Sequence, residues 1–222
     1  MEVLQKRAYD IQVFIALLIL GVIHTSLSTK ISTAKTIASF FGPAFWVVIP
    51  MSHLLVIAVA LVLISYNKKE LVRKLLLTVN IFLTVLLVRD VLTLVITLPQ
   101  QKLGVVILWD AFLIWVSNVL IFAMWYWLLD RGGPIKRAHE KDTRSLKADL
   151  LFPQEVNELV GWKAWKPAFL DYIFMSFYSS MAFTPTDTLV LSKKMKGFLM
   201  LQGSISLVVL AMIAARAINI IS

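Results

Sequence analysis

The stretch from Val105 to Leu129 reads VVILWDAFLIWVSNVLIFAMWYWLL and carries a single charged residue, Asp110. A helix that crosses the hydrocarbon core of a bilayer needs about 20 mostly apolar residues. Lipid offers no partner to an open backbone N–H or C=O, so an apolar run of this length has to be helical. The sequence therefore predicts a transmembrane helix here.

Four further stretches on either side have the same apolar character, namely Ile11–Ser28, Phe45–Tyr66, Leu75–Leu98 and Gly197–Ile221. Hydrophobic residues make up 59% of the chain and charged residues only 16%, whereas soluble domains have about 45–50% and about 25%. We predict an all-α integral membrane protein with five firm transmembrane helices. A cleaved signal peptide is the alternative for the first stretch, but a retained helix is the simpler interpretation because four spans follow.

The net charge of +9 comes from lysines and arginines that lie between the apolar runs. They are concentrated before the first span, after the second and after the fourth, and they are sparse in the other two connections. The positive-inside rule then predicts a multi-pass protein of the cell membrane with its N-terminus in the cytoplasm. Basic residues in such loops contact anionic lipid headgroups, so the bilayer is the expected partner and nucleic acid is not.

Three regions follow from this pattern. Residues 1–129 form a four-helix transmembrane region, residues 130–166 a polar basic cytoplasmic loop, and residues 167–222 a short helix, a polar loop and the last transmembrane helix. The loop opens with Arg131-Gly132-Gly133-Pro134, a sequence that predicts the end of a helix.

The segment after the cytoplasmic loop does not fit an ordinary span. Phe169–Phe183 is apolar but too short to cross a bilayer, and it runs into Thr184-Pro185-Thr186-Asp187-Thr188, a poor helix interior. Such backbone is tolerated at membrane depth only against protein or a water-filled cavity. Three structures stay open for this segment: a re-entrant hairpin, a discontinuous crossing helix and a proline-kinked crossing helix. The hairpin gives five crossings of the membrane, and either crossing helix gives six. Lys193, Lys194 and Lys196 favour the hairpin because they then stay cytoplasmic.

Three motifs carry a resemblance: Asp171-Tyr172, Thr184-Pro185-Thr186-Asp187 and Ala217-Ile218-Asn219. With these, the last quarter of the chain resembles an uncharacterised group of bacterial multi-spanning inner-membrane proteins. The order of short helix, polar loop and long helix also resembles a potassium-channel pore module. Potassium filters use a glycine-rich loop, and residues 180–188 contain no glycine, so potassium selectivity is not implied. The pore helix of those channels also enters from outside, whereas the basic loop here predicts entry from the cytoplasm.

The leading hypothesis is a pore or transport protein for ions or small polar solutes. Asp187 would supply a ring of charge or coordinating oxygens, while Thr184, Thr186 and Thr188 would line the narrow part beside Pro185. A single hairpin cannot enclose a pore, so this hypothesis requires a symmetric homo-oligomer, most simply a tetramer.

Two other classes of function stay open. One is a non-transporting scaffold or partner-binding subunit with residues 130–166 as its contact surface, and the other is a membrane-embedded enzyme. The sequence contains no cysteine, no phosphate-binding GxxxxGK[ST] motif, no HExxH and no GxSxG. We therefore expect no enzyme, no cofactor and no metal.

Several polar residues lie within the predicted spans. His24 and His53 are expected to be hydrogen-bonded inside the bundle, with a haem site as the less common alternative. Asn80 and Asn118 are expected to form hydrogen bonds between helices.

Charged residues within spans usually pair or face water. Arg89 and Asp90 lie in the third span and Asp110 in the fourth. We predict that Arg89 bridges to Asp110 in an intramembrane ion pair that holds the two helices together, with a role in transport as the alternative. Gly203 in the last span is expected to allow close helix packing, or alternatively to act as a hinge.

Overall fold

The computed structural model describes residues 2–28, 45–66, 68–97, 104–140, 146–156, 165–181 and 187–221. These residues are mostly helical. Their elements, in chain order, are α1 (Glu2–Ser28), α2 (Phe45–Ser65), α3 (Lys69–Thr97), α4 (Gly104–Leu129), α5 (Pro134–His139), β1 (Leu150–Leu151), α6 (Pro153–Val156), α7 (Phe169–Ser180), β2 (Leu189–Val190) and α8 (Lys193–Ile221).

Three of these helices are apolar and long enough to cross a membrane, over Lys69–Ile96, Ile107–Gly132 and Lys193–Ile218. Two shorter apolar helical stretches, Ile11–Leu27 and Met51–Ser65, accompany them among the described residues. The prediction of a helical protein with membrane-length apolar helices is confirmed in this form, and the count of five spans stays a prediction.

Helix α4 lies at the centre of the bundle and contacts α1, α3, α7 and α8. Every residue from Ser117 to Leu128 is buried. A helix at the edge of a bundle leaves an exposed stripe that recurs with the helical period, so this unbroken burial marks α4 as the core element. Helix α3, in contrast, exposes Ile81, Phe82 and Val85, as expected of a helix with one face toward lipid.

The predicted helix stop after α4 is confirmed. A 3-10 turn over Asp130–Gly132 follows Leu129, and Arg131, Gly132 and Gly133 have φ values of 51°, 78° and 101°. At Gly133 a Cβ atom would lie 2.8 Å from Arg73 Nε and 2.9 Å from the Leu128 carbonyl oxygen. Only glycine therefore fits at Gly133, both for its φ and for the close approach.

The described residues depart from the predicted all-α fold in one short antiparallel strand pair. Leu150 is opposite Val190 and Leu151 is opposite Leu189, and Leu191 N–H donates to the Asp149 carbonyl at 3.0 Å. Two residues per strand leave no alternating pattern for sequence analysis to detect. The pair joins the loop of residues 130–166 to the chain just before α8.

Candidate functional site

The short helix α7 runs antiparallel along α4. Near its start, the Tyr172 hydroxyl donates to Asp130 Oδ2 at 2.8 Å, and at its end Trp115 Nε1 donates to the Ser180 carbonyl at 3.4 Å. Asp130 and Trp115 are separated by four turns of helix, which corresponds to about 20 Å. Helix α7 thus reaches deep along the central helix and ends there.

The chain then comes back to the end of the bundle that holds Asp130, which we call the Asp130 end. Strand β2 pairs there with β1. Just beyond it, Lys194 Nζ lies 3.4 Å from the Leu129 carbonyl oxygen and 3.3 Å from Asp149 Oδ2. Helices α7 and α8 therefore both begin at the Asp130 end.

A buried polar network joins α4, α7 and α8. At its centre, Gln202 Nε2 donates to the carbonyl and the hydroxyl of Ser176, both at 2.8 Å, and Gln202 Oε1 accepts the Tyr126 hydroxyl at 2.6 Å. One helical turn further along α8, Asn118 Nδ2 donates to Ser206 Oγ at 2.7 Å. Buried polar groups cost free energy unless they are hydrogen-bonded, so these bonds fix how the short helix sits between its two long neighbours.

Asp130 organises the chain where α4 ends. Its Oδ1 accepts the N–H groups of Asp149 and Leu150, each at 3.1 Å, while Oδ2 accepts the Tyr172 hydroxyl. The side chain is fully buried. A single carboxylate thereby holds the strand β1 and the start of α7 against the end of α4.

A buried ion pair lies next to Asp130. Arg131 binds both carboxylate oxygens of Glu155 at 2.6 Å, and the two side chains are 1% and 3% exposed. Arg131 also donates to the Leu150 carbonyl at 3.2 Å, and Glu155 Oε2 accepts the Phe152 N–H at 3.2 Å. Leu150, Phe152 and the Glu155 carboxylate of the loop are therefore packed into the core of the fold.

The predicted pore residues fall partly outside the described part of the chain, since Thr184, Pro185 and Thr186 lie in the gap between residues 181 and 187. Asp187 is exposed and Thr188 is buried, and the Thr188 hydroxyl lies 3.2 Å from Asp187 Oδ1. Both residues immediately precede β2. They therefore lie at the Asp130 end rather than at the depth of Trp115.

Of the predicted intramembrane charges, Arg89 and Asp90 form an ion pair. Arg89 Nε and a terminal guanidinium nitrogen donate to Asp90 Oδ1 at 3.0 and 2.5 Å. Asp110 is buried on α4, and its bridge to Arg89 stays a prediction.

At Gly203 a Cβ atom would meet no described atom within 4 Å. Close helix packing at Gly203 is therefore absent from the described residues, and the alternative of a hinge stays a prediction.

The histidines and asparagines of the predicted spans are packed within the bundle. The His24 and His53 rings stack at a centroid distance of 5.5 Å, and His24 Nδ1 lies 2.8 Å from the Leu20 carbonyl oxygen. Stacked rings turn their faces rather than their ring nitrogens toward each other, which does not suit axial ligation of a haem between them. Asn80 Nδ2 donates across to the Ile121 carbonyl at 3.2 Å, so the predicted bonds of Asn80 and Asn118 between helices are confirmed.

Several residues of this site are not predicted from the sequence, above all Asp130, Gln202 and Ser206. Gln202 and Ser206 stand four residues apart in an apolar span and so share one face of α8. Polar residues with this spacing in a transmembrane helix commonly form hydrogen bonds to a neighbouring helix, and that spacing was the available signal.

No family model, no curated protein and no solved structure matches this chain.

Proposed function

We propose that the chain is a multi-pass protein of the cell membrane, crossed by α1, α2, α3, α4 and α8 and entered by α7 as a re-entrant helix. In this topology the N-terminus and the loop of residues 130–166 are cytoplasmic. The support is geometric, because the contacts of Tyr172 and Lys194 put the starts of α7 and α8 at one end of α4. Of the basic residues of the loop, Arg131, Arg137 and Lys166 lie at that same end.

Labelling of a Ser192→Cys variant in intact cells tests this topology, and the native chain has no cysteine. We expect a membrane-impermeant maleimide to leave Ser192→Cys unlabelled until the cells are opened. Lys147→Cys, at an exposed position of the loop proposed to be cytoplasmic, is the reference for this behaviour. Gln101→Cys, between α3 and α4, is the reference for external labelling. If Ser192→Cys reacts as Gln101→Cys does, the segment crosses the membrane a sixth time and the hairpin is wrong.

We further propose that the protein is a pore or transporter for ions or small polar solutes. The observation that carries this proposal is the difference in depth between Ser180, which contacts Trp115, and Asp187, which precedes β2 at the Asp130 end. The residues between them include Thr184-Pro185-Thr186. Lipid tails do not solvate such a segment, so we expect it to border water or a second subunit.

Asp187 is exposed and immediately precedes β2 at the Asp130 end, which supports a ring of charge at the proposed cytoplasmic mouth of the path rather than in its narrow part. Rings of acidic side chains at a mouth concentrate cations. Because one hairpin cannot surround a path, the proposal includes a symmetric homo-oligomer, most simply a tetramer.

Neutralising Asp187 is expected to lower cation flux into liposomes that contain the purified protein. For Asp187→Asn we expect a reduction of about threefold to tenfold at low ionic strength, because the local cation concentration falls with the mouth charge. The difference between the variant and the native protein should shrink as the salt concentration is raised, because salt then screens the attraction of cations to Asp187 in the native protein. The measurement is the efflux of sodium or potassium from loaded vesicles.

Glu140→Gln is the matched control, since it removes one negative charge from the loop outside the hairpin and should leave the flux unchanged. Equal flux through the Asp187→Asn variant and the native protein would contradict the charge ring. If native protein carries neither cations, chloride nor small polar solutes, the conduit itself is wrong.

A further inference from the structure

A cavity of about 140 Å³ lies at the Asp130 end. Its walls come from α1, α3, α5, the ends of α2 and α4, and the chain just before α7. Pockets for drug-sized ligands measure about 300–1,000 Å³, so this cavity suits a compact group rather than a whole nucleotide or sugar chain.

Four basic side chains line this cavity, and they come from distant parts of the sequence: Lys69, Arg73, Arg137 and Lys166. None of the described residues that line it is acidic. Four positive charges around one small space repel one another unless an anion lies among them. The cavity therefore has the electrostatics of an anion site.

Two of these four basic groups have hydrogen-bond partners that do not neutralise their positive charge. Arg137 is 5% exposed and donates to the backbone carbonyls of Asp130 and Trp127 at 2.6 and 2.8 Å. Lys166 Nζ donates to the Glu140 carbonyl at 2.7 Å. Carbonyl oxygens orient a guanidinium or an ammonium group, but they do not neutralise it.

Arg73 has unused hydrogen-bonding capacity. Its Nε is buried and has no hydrogen-bond partner among the described residues, and its ion pair with the exposed Glu70 is long at 3.8 Å. The indole N–H of Trp127, a buried residue that also lines the cavity, likewise has no partner in the described chain. Buried donors without acceptors are unusual in folded proteins, and both of these donors belong to residues that line the cavity.

The remaining walls are apolar. Val13 and Phe14 of α1 and Val72 and Leu76 of α3 line the cavity, together with Ile64 at the end of α2. These residues belong to helices that are apolar over most of their length, at the end where the apolar stretches give way to basic residues. A ligand with a charged head and an apolar chain matches this arrangement, whereas a free inorganic anion uses only the basic part.

We propose that this cavity binds a phosphate ester that carries an apolar chain, with the phosphate among Lys69, Arg73, Arg137 and Lys166. Arginine pairs with phosphate through two parallel N–H···O bonds, and lysine adds point charge. None of its lining residues belongs to α7, β2 or α8, although the Arg137 guanidinium lies 5.2 Å from the Tyr172 ring centroid and the Trp127 ring packs against Phe169 at the start of α7.

The test measures binding to the purified full chain in a neutral detergent. Short-chain phosphatidic acid is the main probe, short-chain phosphatidylcholine tests for unspecific lipid binding, and glycerol 3-phosphate tests for a water-soluble source of the same phosphate. We expect saturable binding of phosphatidic acid, seen as a rise in thermal stability with concentration, and no such rise with phosphatidylcholine. If glycerol 3-phosphate binds as tightly as phosphatidic acid, the site recognises the phosphate group alone, and the proposed binding of an apolar chain is wrong.

Matched variants separate a site from general attraction to a basic surface. Lys69→Gln and Arg73→Gln should each weaken phosphatidic acid binding about tenfold or more, as loss of a charge-assisted bond to phosphate does. Lys68→Gln removes an equal charge from the adjacent exposed residue, which does not line the cavity, and should change the affinity less than about twofold. Equal losses in Lys68→Gln and Lys69→Gln would overturn the proposal, as would native protein that binds neither phosphate probe.

Discussion

Glu155→Gln is expected to lower the free energy of unfolding by about 3–5 kcal/mol, the usual cost of removing one partner from a buried ion pair. Arg131 is 1% exposed on its side chain and binds both oxygens of Glu155. Glutamine keeps the shape of the glutamate side chain but leaves the guanidinium charge buried without its counter-charge. The measurement is unfolding in mixed micelles, followed by circular dichroism or tryptophan fluorescence.

Glu70→Gln is the control for Glu155→Gln, because Glu70 is 66% exposed and lies 3.8 Å from Arg73. Exposed pairs of this kind contribute at most about 1 kcal/mol. The double replacement Arg131→Met with Glu155→Met should recover much of the loss, since neither charge then stays buried alone. An effect of Glu155→Gln no larger than that of Glu70→Gln would show that the pair is open to water.

Asp130→Asn has the second large expected effect, about 3 kcal/mol or more. The carboxylate accepts three hydrogen bonds, from the N–H groups of Asp149 and Leu150 and from the Tyr172 hydroxyl. Hydrogen bonds to a charged group contribute about 1.5–3 kcal/mol each. Asparagine keeps one oxygen and turns an NH₂ group toward at least one of these donors, so bonds are lost and a donor faces a donor.

Two further variants make the Asp130 prediction specific. Asp149→Asn should cost less than about 1 kcal/mol, because its carboxylate has one contact with the half-exposed Lys194. Tyr172→Phe removes one of the three donors, and its effect should be less than additive with that of Asp130→Asn because the two residues share a bond. Strict additivity would contradict the bond between Tyr172 and Asp130.

The sequence predicts the parts of this fold that depend on local chemistry. The apolar run of Val105–Leu129 predicts helix α4, and Arg131-Gly132-Gly133-Pro134 predicts where it ends. Asn80 and Asn118 are correctly predicted to bond between helices, because a lone amide in an apolar span has few other ways to be satisfied. Each of these predictions uses only neighbours along the chain.

The candidate site depends on contacts that the sequence does not show. Glu155 is one acidic residue among several in a mixed loop, and only the folded chain brings it to Arg131. The return of the chain to the Asp130 end likewise depends on a two-residue strand pair that is too short to leave a pattern.

The sequence by itself therefore determines which segments prefer lipid and which prefer water, because apolarity and helix length are properties of a continuous run of residues. Only the tertiary structure decides that Gln202 meets Tyr126 and Ser176, and that Lys69, Arg73, Arg137 and Lys166 surround one cavity. Those arrangements follow from how the helices pack. Packing brings together side chains that are separated by up to about a hundred residues, and it depends on shape and hydrogen-bond satisfaction across the whole bundle.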